Sequence, residues 1–199
     1  MDRIEAGNAP RIVCRWRPRA TSAGLTTKRT DARMPLSSTS CSGGVVSLAW
    51  TVAATPEIVW SAWSDPTMLP QWLGSPLECD VSAGGRLVVD HGEGTVSRSE
   101  ILDAAAPHRL VMTWEFPDEA PSKLSVAMDR EADGTLLTLV HEQLGDLARS
   151  YESGWMTHLT FLEAAVEGDP LPTSQFWKLH ESFRRLVLPD LDRRELGTS

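Results

Sequence analysis

Five histidines, His91, His108, His141, His158 and His180, are the side chains of this sequence best suited to carry a proton near neutral pH or to ligate a metal. No two of them stand two or four residues apart, and no Cys or paired carboxylate joins them in a zinc-like pattern, so no metal site is expected. His141 shares strand parity with Leu137 and Leu139, and His158 adjoins Leu159 on a helical stretch, so either can reach an interior and act as a general base. Nothing beside them in sequence marks an orienting partner, and a structural or surface imidazole is the commoner role. His108, directly after Pro107, reads as a turn residue. Glu115 has the opposite parity to Trp114 and should point outward; Glu100 and Asp103 are read as solvated carboxylates. Gly84-Gly85 and Gly92-Glu93-Gly94 lie between strand-length segments with no following helix to hold an anion, so they are hairpin turns and not phosphate loops. No Gly-x-Ser-x-Gly elbow occurs and no Cys is placed with a base. No catalytic residue and no cofactor is assigned.

The aromatic and thioether residues say more. The chain has eight Trp against one Tyr, and rings of that size are costly to leave in water. Met112, Trp114, Phe116, Met128, Trp155 and Leu159, with His141 and His158, are expected to meet where a sheet faces a helix. There they would line a pocket for an apolar molecule or simply fill the interior. Trp60, Trp63 and Trp72 are assigned to packing or to the pocket rim.

The elements that must position these residues can be read from periodicity. Val45 to Val52 opens a β-rich run with Leu48, Trp50 and Val52 on one parity. Thr55-Pro56-Glu57 starts a short helix through Val59, Trp60 and Trp63; Asp65-Pro66 begins a second helical turn that Gly74 ends. Strand segments follow at Leu77 to Val81, Arg86 to Asp90 and Thr95 to Leu102. Arg109 to Phe116 alternates, with Leu110, Met112, Trp114 and Phe116 on one side. Lys123 to Arg130 does the same with Leu124, Val126 and Met128, and Asp133-Gly134 turns the chain into Thr135 to Gln143. From about Asp146 to Glu167, Tyr151, Trp155, Leu159, Leu162 and Val166 recur at helical spacing. The reading is an α+β domain over residues 45–170, with six to seven antiparallel strands curved around this long helix, the only element long enough to cover the sheet. Residues 171–199 form an extension in which Phe176, Leu179, Phe183, Leu186 and Val187 make an amphipathic stripe.

Charge and composition narrow the partners. Of 19 Lys/Arg and 27 Asp/Glu, residues 1–44 hold eight and three, leaving 11 and 24 for the remainder, so a tail near +5 precedes a body near −13. Such a body repels nucleic acid and anionic membranes, and no apolar run approaches the roughly 20 residues of a membrane span. Residues 1–44 lack sustained period and read as a disordered basic tail. Three roles compete for it: an organellar presequence, a basic arm for nucleic acid, or a stretch upstream of a start at Met34. No continuous apolar region of a secretory signal is visible, and Cys14, Cys41 and Cys79, odd in number and unpaired in spacing, fit a reduced cytoplasm.

An ordered set of short motifs carries a family likeness: Ala54-Thr55-Pro56-Glu57, Ser64-Asp65-Pro66, Trp72-Leu73, Gly84-Gly85-Arg86, Pro107-His108-Arg109-Leu110, Thr113-Trp114 and Gly154-Trp155 with Leu159. Over residues 45–170 the chain resembles the activator of heat-shock-protein-ninety ATPase-like branch of the START/SRPBCC superfamily, which includes the birch pollen allergen and polyketide cyclases. The resemblance implies a helix-grip fold with a pocket between sheet and final helix. It also implies a function in binding a small hydrophobic ligand, without catalysis. Two alternatives stand beside that expectation: a polyketide cyclase- or hydrolase-type enzyme using His141 or His158, and a co-chaperone-like interaction module reaching a protein partner through the C-terminal helix. Residues 1–44 are too short and polar to be the separate chaperone-binding domain of the eukaryotic co-chaperone.

Overall fold

The computed structural model describes residues 34–188. Eight strands form one antiparallel sheet: β1 (Leu36–Ser42), β2 (Val45–Val52), β3 (Ser75–Cys79), β4 (Arg86–Asp90), β5 (Val96–Ala105), β6 (Arg109–Trp114), β7 (Ser122–Glu131) and β8 (Gly134–Glu142), in the order β1-β2-β8-β7-β6-β5-β4-β3. Among the described residues three α-helices accompany it: α1 (Pro56–Ser64), α2 (Ala148–Val166) and α3 (Phe176–Val187). This is the α+β helix-grip architecture expected, with one strand more than the six or seven read from sequence.

The additional strand is β1, within the segment assigned to the disordered tail. Leu36–Ser42 pairs antiparallel with β2 from Leu36 opposite Trp50 to Ser42 opposite Val45. Its side chains are mostly exposed, since an edge strand is held by backbone bonds along one side and needs no apolar face. The tail boundary at residue 44 therefore moves back to about residue 35; residues 1–33, and the presequence, nucleic-acid-arm and alternative-start readings attached to them, lie outside the described residues.

Alternation decides which face of the sheet is buried. In β2, Val46, Leu48, Trp50 and Val52 are buried while the residues between them are only half-buried, and β7 and β8 repeat the pattern. The strand at 77–81 shifts to Ser75–Cys79, because Pro76 and Glu78 are the residues that pair with Val89 and Val88. The β7–β8 reversal also differs from expectation. Its loop is Ala132-Asp133, and Gly134 already belongs to β8, paired with Glu131. Glycine is required there by close approach: a Cβ on Gly134 would lie 2.1 Å from the Val52 carbonyl oxygen.

β5 bends the sheet. Its first half pairs with β4, from Val96 opposite Asp90 to Glu100 opposite Arg86, and its second half pairs with β6 across a register shift between Ile101 and Asp103. The concave face so formed receives α2, whose Trp155, Met156, Leu159, Phe161 and Leu162 are buried. Trp50 Nε1 donates to Glu163 at 3.1 Å and ties α2 to β2; burial, more than any other influence, holds the Glu163 carboxyl above its ordinary pKa. The helix α3 packs on α2, with Phe176, Leu179, Phe183 and Val187 half-buried against the core and Leu186 exposed. The amphipathic stripe therefore covers its own domain. No described helix is long and apolar enough to cross a membrane.

Candidate functional site

Five parts of the chain leave a pocket of about 430 Å³ beside the sheet–α2 interface. The 3-10 turn Leu69–Gln71 and the residues after it contribute Trp72 and Leu73; the sheet side contributes His91, Trp114 and Phe116; α2 contributes Tyr151, Gly154, Trp155, His158 and Phe161. Thr173, Phe176, Trp177 and His180 close it from the extension, and Glu119 stands in the loop between β6 and β7.

Four of the eight residues expected around a pocket line it: Trp114, Phe116, Trp155 and His158. Met112, Met128, His141 and Leu159 do not; each is fully buried in the packed interior between sheet and helix. The assignment of these four to the lining is corrected on a simple ground. These four stand in the filled middle of the interface, whereas the pocket lies between α2, the 3-10 turn and α3. Trp114 and Trp155 are nonetheless adjacent, ring centroids 5.4 Å apart and edge to face, and both present surface to the cavity.

His141 sits behind that wall and fixes it. Trp155 Nε1 donates to His141 Nδ1 at 3.0 Å, so the imidazole carries its proton on Nε2, which lies 2.8 Å from Ser122 Oγ. Ser122 Oγ donates in turn to the Trp114 carbonyl at 3.0 Å. Every polar atom of this buried chain is satisfied, and burial pushes the His141 pKa from 6.5 down to about 4. His141, one of the two candidate bases, is therefore a neutral group that holds Trp155 and, through Ser122, the Trp114 backbone.

His158 is placed differently. Its Nδ1 donates to the Trp72 carbonyl at 2.7 Å, which leaves Nε2 as a lone-pair acceptor with no partner among the described residues. Burial lowers its pKa to about 4, and the neighbouring His91 and His180 lower it further while the bond to Trp72 opposes them. The His91 ring stands 6.4 Å from His158 and its Nε2 meets Ser97 Oγ at 2.8 Å; burial also lowers the His91 pKa. His180 stacks on Phe176 with an interplanar angle of 10°. These three histidines, far apart in sequence, thus share one pocket, yet no group of three or more His, Cys, Asp or Glu among the described residues is arranged to hold a metal ion.

Periodicity places Tyr151 only in a helical stripe, and no sequence signal singles out Glu119. Trp114 Nε1 donates to Tyr151 Oη at 3.2 Å, and the Tyr151 hydroxyl donates to Glu119 Oε2 at 2.5 Å. Burial first, and then the Glu119 carboxylate, raise the Tyr151 pKa. Trp72, which sequence placed at the rim or in the packing, is oriented by its Nε1 bond to the Ala62 carbonyl at 2.8 Å and packs edge-on against Trp63 at 4.6 Å. No local signal distinguishes His91, Glu119 or His180 as lining residues, because each reaches the pocket from a loop or from the extension.

The comparisons with known proteins match this architecture. The crystal structure of CalU16 from Micromonospora echinospora superposes with a TM-score of 0.61 at 25% identity, covering 73% of this chain and 86% of that one. DynU16, described as a protein of the dynemicin biosynthetic locus, superposes with a TM-score of 0.60 at 22% identity, covering 65% of this chain and 49% of its own. Ms6760 from Mycobacterium smegmatis gives a TM-score of 0.57 at 17% identity over 67% of this chain and 96% of that one. Among curated proteins none matches the sequence. The family model described as activator of Hsp90 ATPase homolog 1-like protein matches residues 53–167, from the end of β2 to the end of α2, and the chain belongs to that family.

Proposed function

We propose that the chain binds one small, mostly apolar molecule in the pocket between α2, the 3-10 turn and α3, as a carrier or sensor that performs no chemistry on it. The observation that carries the reading is the pocket itself: about 430 Å³, walled largely by aromatic rings, with a few polar groups converging on it. Binding sites of this kind run from about 300 to 1,000 Å³ and are mostly apolar with sparse polar groups for orientation. Gly154 supports it further. A glycine within a helix costs about 1 kcal/mol relative to alanine, yet this one stands in α2 facing the pocket, and a Cβ there would meet nothing within 4 Å. Its missing side chain is space kept open.

The test is native mass spectrometry of the purified protein before and after denaturing extraction, with Gly154→Leu alongside. A retained small molecule that disappears from a folded Gly154→Leu protein supports the reading; protein that is empty in every preparation and binds no member of an apolar compound panel ends it. A second reading, an enzyme of cyclase or hydrolase type, is favoured by the unpartnered Nε2 of His158. Turnover of a polyketide-like or ester panel that His158→Ala abolishes would replace the first reading with this one.

A further inference from the structure

Among the described residues the one carboxylate in the pocket wall, Glu119, faces no Lys or Arg there, and the cations nearest in sequence, Arg149 and Lys178, are not part of the wall. Arg149 instead donates to the Val187 carbonyl at 3.2 Å. The imidazole of His158, its Nδ1 committed to Trp72, offers a lone pair and not a charge. The rings of Trp72, Trp114, Trp155 and Phe176 present faces or edges, and aromatic faces carry the negative lobe of a quadrupole. An anion entering this space loses hydration and finds no counter-charge among the described residues, a large cost for a carboxylate or phosphate. A hydrogen-bond donor finds an acceptor, and an ammonium finds in addition a carboxylate and aromatic faces.

We infer that the molecule this pocket takes ends in a hydrogen-bond donor, an amine in preference to an alcohol, and that apolar acids are refused. The head-group rule rests on the pocket-binding reading and adds the chemical class of ligand to it. His158 Nε2 accepts the donor, and Glu119, held by Tyr151 at 2.5 Å, supplies the preference for positive charge.

The experiment uses three probes with one body and three heads: naphthylmethylamine, naphthylmethanol and naphthoic acid, titrated by tryptophan fluorescence and calorimetry near neutral pH. The amine is expected to bind most tightly and the acid at least about tenfold more weakly than the amine, the scale of a desolvated cation–π contact plus one unpaired charge. Glu119→Gln, which keeps an acceptor for Tyr151, is expected to reduce the amine-to-alcohol preference about threefold or more, the share of one partly exposed charge. His158→Phe is expected to weaken amine and alcohol alike. An acid that binds as well as the amine, or a preference that Glu119→Gln leaves untouched, overturns the rule while the pocket reading survives. Failure of all three probes to bind overturns both.

Discussion

The sharpest test of the buried network is the pH dependence of stability through His141. In the folded chain Nδ1 is occupied by the Trp155 indole N–H and burial holds the pKa near 4, against 6.5 for a free imidazole. Between those two values the unfolded chain binds a proton that the folded chain does not, so stability is complete above about pH 6.5 and falls as pH falls toward about pH 4. With one pKa difference worth 1.36 kcal/mol per tenfold, the loss is about 2 kcal/mol between about pH 7.5 and about pH 5, and about 3 kcal/mol by about pH 4. Other groups titrate over the same range, His158 among them, so the comparison is made between the wild type and His141→Gln, which cannot take up the proton. Urea denaturation at the two higher pH values gives four free energies. The wild type should lose about 2 kcal/mol more than the variant on acidification, whatever the variant loses at neutral pH. Equal losses in both proteins, or an imidazole resonance for His141 that titrates near 6.5, would refute the assignment of a buried neutral histidine accepting from Trp155.

Two further outcomes separate core from pocket and extension from scaffold. Met112 is fully buried away from the cavity, so Met112→Ala should cost about 2–5 kcal/mol in chemical denaturation while a retained ligand, measured by mass, stays with the folded fraction. Truncation after Pro172 removes Phe176, Trp177 and His180 from the pocket wall and uncovers the Phe161 side of α2; it should lower the thermal midpoint, raise binding of a fluorescent apolar dye and abolish probe binding. A truncated chain with wild-type midpoint and probe affinity would show that α3 neither covers nor completes the domain.

The fold was legible where burial has a period. Val46, Leu48, Trp50 and Val52 alternate because one face of β2 meets α2, and the same pattern sets β7 and β8. Leu36–Ser42 was not legible, since a polar edge strand is specified by the backbone of β2 and leaves no apolar trace in its own residues. Parity also reached only part of the site. It places Met112, Trp114 and Met128 on the concave face correctly, but it says nothing of distance along the strand from the open end, and that distance separates a filled interior from a wall. The remaining lining residues converge from elements far apart in sequence: His91 follows β4, Glu119 follows β6, and His180 lies on α3. Their meeting depends on tertiary geometry alone.

The position of α3 gives the molecule a divided construction. Residues 53–167 carry the family match, yet Thr173, Phe176, Trp177 and His180 border the opening from beyond it. Trp177 is 73% exposed and no residue of α3 is fully buried; the helix lies on the outside of α2, with only its Phe176, Leu179, Phe183 and Val187 side resting on the core. Selectivity at the mouth is thereby set partly by a segment outside the family-matched core: exchanging the exposed side of α3, Trp177 included, would alter the occupant while the sheet and α2 keep their own pairing and packing.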